Sequence, residues 1–177
     1  DEKMVHLYTN NPVEQHSFVE TAKERGYDVL VMDGPFDSHF VNHLEMKLQN
    51  CSFVRVDADT IDKLIKKEEA MPSKLSEEQQ NTLKPIIEAG LPIGKFTVQF
   101  ESLSEKDQPM IITQPEFMRR MKDMSATGGG GMNFMGSFPE TYNMIVNSNH
   151  PIISKILDEK DSDLQKKLSK QTSDLAL

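Results

Sequence analysis

The tight alternation of strand-type and helix-type segments over the first seventy residues constrains the fold more than any other feature of this chain. Val5 to Tyr8 forms a short β-type run, and Asn11-Pro12 then reads as the cap and first residue of a helix, with Glu14 placed to complete a capping box. Apolar residues recur at Val13, Phe18, Val19 and Ala22, and Gly26 stands where a helix ends in a left-handed residue. The run from Val29 to Met32 predicts a buried strand. Gly34-Pro35 breaks it, and Phe36, Phe40, Val41, Leu44 and Leu48 have helical spacing. Phe53 to Val56 predicts a third strand, and Asp59 a cap for a helix carrying Ile61, Leu64 and Ile65. Strands joined through helices need crossover connections, so the expectation is a mostly parallel sheet with helices on both faces, an α/β/α unit.

Residues 66–76, KKEEAMPSKLS, are charged and poor in bulky side chains, which places a boundary there and divides the chain into 1–72 and 73–177. Ser76 with Gln79 opens another helix, bearing Leu83, Ile86 and Ile87 and stopping near Gly90. Phe96 to Phe100 and Met110 to Thr113 predict two strands paired as a hairpin through SLSEKDQP. A helix carrying Phe117, Met118, Met121 and Met124 follows, then a loop with glycines from Gly128 to Gly131, a third strand at Thr141 to Val146, and a helix capped by Asn149. The fold class expected is therefore α/β followed by α+β, with a small three-stranded sheet in the second part. Leu157, Leu164, Leu168 and Leu175 repeat at spacings that place them on one coiled-coil-like seam. The helical pattern reaches Leu177 without a terminating residue, so a chain cut inside a larger protein is expected.

Several function classes are disfavoured. A net charge of −8 and a pI near 5.1 do not suit a phosphate-backbone binder, so nucleic acid is not an expected partner. No apolar run approaches the roughly 20 residues a membrane helix needs, and the start lacks a signal-peptide pattern, so no membrane partner and a cytoplasmic location are expected. Cys51, the single cysteine, reads as a small buried hydrophobe. The glycine run lacks the lysine and Ser/Thr of a phosphate loop and the spacing of a dinucleotide fingerprint, and reads as a mobile linker. His39 and His43 have two-histidine metal spacing without the glutamate or a third ligand, and no nucleophile elbow is present. Neither a metal, a cofactor nor catalysis is expected in this stretch.

Seven of the eleven methionines lie between Met110 and Met144. Methionine is flexible and polarizable, and surfaces that accommodate many apolar partners overuse it. Met132, Phe134 and Met135 sit in the glycine-rich stretch, where a tight core is hard to build. The segment, with Phe117, Met118, Met121 and Met124, therefore reads as an adaptable apolar surface for unfolded polypeptide.

Two motifs carry a family resemblance. Val29 to Glu45, VLVMDGPFDSHFVNHLE, resembles the strand, turn and helix of the small subdomain that ends the middle domain of heat-shock protein 90 chaperones, matching at Phe36, Asp37, Phe40 and Leu44. Asn147 to Ile156, NSNHPIISKI, resembles the Asn-x-x-His-Pro-Ile helix start of their C-terminal domain, matching at Asn147, His150, Pro151 and Ile152. The resemblance implies a homodimeric, ATP-driven chaperone that binds unfolded client polypeptides. It implies that ATP and Mg are held in an N-terminal domain and that the arginine assisting hydrolysis belongs to an earlier part of the middle domain, both outside these residues. Phe117 to Met124 match by position the amphipathic helix linked with client contact, whereas the leucines at 157, 164, 168 and 175 would contribute to dimerisation, with the last helix of that bundle lying beyond Leu177. The glycine-rich loop is longer than in bacterial members, and the lack of an acidic Met-Glu-Glu-Val-Asp type tail points to the bacterial type. The competing reading is a small nucleotide- or flavin-binding module in 1–72, with its ligand near Thr9 to Pro12 and Asp33 to Phe36.

Overall fold

A computed structural model describes residues 3–65, 71–115, 118 and 141–177. The chain divides into two compact units; among the described residues the first contains 3–65, 114, 115 and 118, and the second 71–113 and 141–177.

In the first unit, β1 (Met4–Thr9), β2 (Val29–Val31) and β3 (Cys51–Arg55) form a parallel sheet in the order β2-β1-β3. The helices α1 (His16–Glu24), α2 (Asp37–Leu48) and α3 (Ile61–Leu64) complete it. Because side chains alternate along a strand, β1 feeds two cores. Leu7 packs with Val19, Ala22, Val56 and Ile61 on one face, and Tyr8 with Val41, Cys51 and Phe53 on the other. The layering is thus helix, sheet, helix, and Cys51 is the small buried residue expected. Arg25, at the end of α1, holds Asp62 of α3 through two hydrogen bonds of 3.1 Å.

Three local expectations change. The helix predicted from Pro12 begins at His16, because Asn11 Oδ1 accepts from Val13 and Glu14 N–H in a turn that precedes it. Val13 is consequently exposed. The strand predicted as buried lies at the sheet edge, leaving Leu30 47% and Val31 60% exposed. An apolar run alone does not distinguish a central parallel strand from an edge. Of the apolar stripe on α2, Val41 and Leu44 pack inward while Phe36, Phe40 and Leu48 remain exposed.

The second unit begins with α4 (Glu77–Glu88), whose reciprocal capping box between Ser76 and Gln79 forms as the sequence predicts. Strands β4 (Phe96–Glu101), β5 (Met110–Thr113) and β6 (Tyr142–Asn147) follow, then α5 (Pro151–Asp158) and α6 (Ser162–Asp174). The predicted hairpin between β4 and β5 does not form. Instead β6 lies between them, parallel to β4 and antiparallel to β5. The physical reason is hydrophobicity: Met144, Ile145 and Val146 are fully buried, and a strand apolar on both faces belongs in the centre of a sheet. One face carries Val98, Met110, Met144 and Val146 against Leu83 and Ile87 of α4 and Ile153 and Ile156 of α5.

Candidate functional site

In a parallel sheet the crevice beyond the strand C-termini, where connections leave in opposite directions, is the usual ligand position. Here the order β2-β1-β3 puts it beside the ends of β1 and β3. A network of the unit's own side chains stands there. Gln15, buried although polar, accepts through Oε1 from Thr9 Oγ1 at 2.5 Å and from the Asn10 N–H at 3.2 Å, and donates from Nε2 to Asp57 Oδ2 at 2.8 Å. Arg55 grips the same carboxylate with two hydrogen bonds, one of them from Nη2 at 2.7 Å, and its Nη1 donates to Asn10 Oδ1 at 3.3 Å. Arg55 thus pairs its charge with Asp57 inside a network of the unit's own side chains. Pattern reading missed this network; Gln15 four residues after a capping Asn11 and Arg55 two before Asp57 were the only local signals.

The second motif builds a different arrangement. Polar Asn147, Ser148 and Asn149 are all buried at the end of β6. Asn147 Nδ2 donates to Ser104 O at 2.8 Å, while its Oδ1 accepts from the Asn149 N–H at 3.0 Å. Ser148 Oγ donates to Glu101 O at 3.0 Å and accepts from Ser73 Oγ at 3.0 Å. Asn149 Nδ2 donates to Leu103 O at 3.0 Å, and its Oδ1 accepts from the Lys74 N–H at 2.8 Å. Three successive side chains therefore tie the chain at 73–74 and at 101–104 to one turn. Each bond satisfies a group that burial would otherwise penalise.

The helix after this turn is capped by His150, not by Asn149 as expected from sequence. The imidazole Nδ1 accepts from the Ile152 N–H at 3.2 Å, Pro151 fills the first helical position, and Asn149 is taken up by Leu103 and Lys74. Burial holds the His150 pKa below the usual histidine value, which keeps Nδ1 available as an acceptor.

Of the residues expected to meet client polypeptide, Met118 is half-buried in a helical conformation; Phe117, Met121, Met124, Met132, Phe134 and Met135 lie outside the described residues. The methionines flanking that segment, Met110 and Met144, belong to the core of the second unit. The leucine seam does not run along one helix. Asp161 Oδ1 accepts from the Asp163 and Leu164 N–H groups and starts α6 anew, leaving Leu157 on α5. Leu157 and Leu168 pack against the unit's own core, while Leu164 is 44% and Leu175 84% exposed. Among the described residues no cluster of three or more His, Cys, Asp or Glu could hold a metal ion, and no helix is long and apolar enough to cross a membrane.

Comparison with known proteins fits this geometry. The family model described as "Hsp90 protein" matches residues 6–176. The chain belongs to the Hsp90 family. Chaperone protein HtpG of Porphyromonas gingivalis is 45% identical over 166 residues, covering 92% of this chain and 24% of that protein. HtpG of Bacteroides thetaiotaomicron is 40% identical over 165 residues, and that of Bacteroides fragilis 39% over 166, each with the same coverage. The chain thus spans about a quarter of the length of the curated relatives it matches. It corresponds to the middle and C-terminal portion of a bacterial Hsp90, a non-catalytic region of the family. Both motifs that carried the resemblance fall within the matched residues, the first in the α/β/α unit and the second in the buried turn.

Proposed function

We propose that this stretch serves as the client-binding and coupling part of an ATP-dependent, homodimeric, cytoplasmic chaperone of the heat-shock response. One observation carries the reading: the Hsp90 match over residues 6–176 together with the HtpG relatives. Residues 1–72 act as the small α/β/α subdomain of the middle domain, and 73–177 as the C-terminal domain. Unfolded or partly folded polypeptide is held by the apolar surface of Phe117, Met118, Met121, Met124, Met132, Phe134 and Met135, whose flexible methionines fit many partners. Leu164 and Leu175, exposed in this chain, support a contribution to dimerisation, with Leu157 and Leu168 bracing the helices from beneath. Nucleotide and its metal bind in another part of the chaperone, in keeping with an α/β/α crevice that its own Arg55 and Gln15 occupy.

Aggregation of a heat-denatured substrate, followed by light scattering with and without this chain, tests the proposal. Suppression is expected, and replacing Phe117, Met118, Met121 and Met124 by serine abolishes it. Unchanged suppression by a folded quadruple variant would overturn the assignment of that surface, and no suppression by the folded wild-type chain would overturn client binding by this stretch.

A further inference from the structure

The edge of the first unit's sheet presents a second surface with recognition chemistry of its own. Among the described residues β2 pairs only with β1. The Met32 N–H donates to Thr9 O at 2.8 Å, and in a parallel ladder such bonds recur at every second residue. The N–H and C=O groups of Val29 and Val31 therefore point away from β1, toward an edge that no strand among the described residues covers. Leu30 is level with Tyr8 and Val31 with Thr9, so their exposed side chains stand on opposite faces of that edge. Exposed aspartates stand at both ends of the strand, Asp28 before it and Asp33 after it.

Natural proteins protect an open edge with lysine, proline, a bulge or a very short strand, and of these β2 has only its three-residue length. Pairing of two copies through this edge in the antiparallel sense would bring Asp28 of one near Asp33 of the other at each end of the paired strands, and that like-charge approach disfavours it. The same two carboxylates favour a strand whose ends are cationic, and the chain's net charge of −8 draws such a strand in the same sense. We infer that β2 is a docking edge for an extended apolar segment of client polypeptide flanked by lysine or arginine, which adds as a further strand beside Val29–Val31. The inference rests on the chaperone reading and names a client chemistry that the methionine-bearing segment does not select. Main-chain hydrogen bonds supply the grip, apolar contacts with Leu30 and Val31 the register, and the two aspartates the choice of sequence.

Two synthetic peptides with the same alternating valine-threonine centre, one flanked by lysines and the other by glutamates, test this with the full 177-residue chain. The lysine-flanked peptide is expected to bind about tenfold or more tightly than its counterpart and to slow hydrogen exchange at the Val29 and Val31 amides. Val31→Pro removes an outward N–H and weakens binding. The double variant Asp28→Lys/Asp33→Lys leaves the backbone edge intact and reverses the order of the two peptides. Exchange at Val29 and Val31 unaffected by either peptide, or an order that survives the charge reversal, overturns the inference. Aggregation suppression that is lost with the serine variant but untouched by changes at β2 would sink this edge alone and leave the chaperone reading standing.

Discussion

The two units each contain a three-stranded sheet, and the sheets solve opposite problems. In the second unit the middle strand β6 is apolar on both faces and fully buried from Met144 to Val146, and it is followed by a turn whose three polar side chains are spent on internal hydrogen bonds. In the first unit the middle strand β1 is packed on both faces at Leu7 and Tyr8, but β2 leaves Leu30 and Val31 exposed and half of its backbone groups unpaired by any strand among the described residues. Two sheets of equal size can therefore serve as scaffold and as surface. What separates them is where the apolar side chains and the hydrogen-bonding capacity are directed.

That contrast is open to attack by substitution. Leu83, on α4, is fully buried in the core beneath β6, so Leu83→Ala should destabilise the second unit by about 2–5 kcal/mol, measured by urea denaturation. Asn147→Ala should cost about 1–3 kcal/mol, because it leaves Ser104 O and the Asn149 N–H without their partner in a buried turn. Gln15→Ala probes the polar network of the first unit and should have a smaller effect than Asn147→Ala, since Arg55 still holds Asp57 when Gln15 is removed. Hydrogen exchange in β1 would report it. Leu30→Ala should cost the least of the four, about 1 kcal/mol or below, because about half of that residue is already in solvent. A large loss at Leu30 would make β2 part of the scaffold and erase the contrast.

The His150 cap adds a pH signature to the second unit. Its folded-state pKa lies below the ordinary histidine value of 6.5, so the folded state binds that proton less readily than the unfolded state. The cap's contribution is therefore complete above pH 6.5 and is lost as pH falls below that value through the folded pKa. Stability measured across this range should fall in the wild type, and His150→Asn, which keeps a capping oxygen without the titration, should flatten that part of the profile.

Local rules read much of this fold from the residues. Ser76 and Gln79 formed their capping box, Gly26 took its left-handed conformation at φ 81°, and all six strands lay within a residue or two of their apolar runs. Pairing was harder to read. Nothing local to Phe96–Phe100 or Met110–Thr113 reveals that a strand some thirty residues later will enter between them; that outcome follows from the greater apolarity of Met144 to Val146. Burial was equally non-local, as the same β-type pattern produced an exposed β2 and a buried β6. At the sites, the Asn147–Pro151 motif was visible as a pattern, but its role as a buried tie depends on carbonyls at Glu101, Leu103 and Ser104 that no spacing rule connects to it. Gln15 stayed hidden for the same reason, its partner Asp57 being distant in sequence.

Hydrogen exchange of the full chain in the presence and absence of a permanently unfolded, lysine-containing polypeptide tests the central claim most directly. The account predicts slowed exchange in peptides spanning residues 117–135 and at Val29 and Val31, with β6 unchanged because its amides are already engaged in the centre of a sheet. Exchange that stays the same throughout the chain, or slows only in β6 and its buried turn, would contradict it.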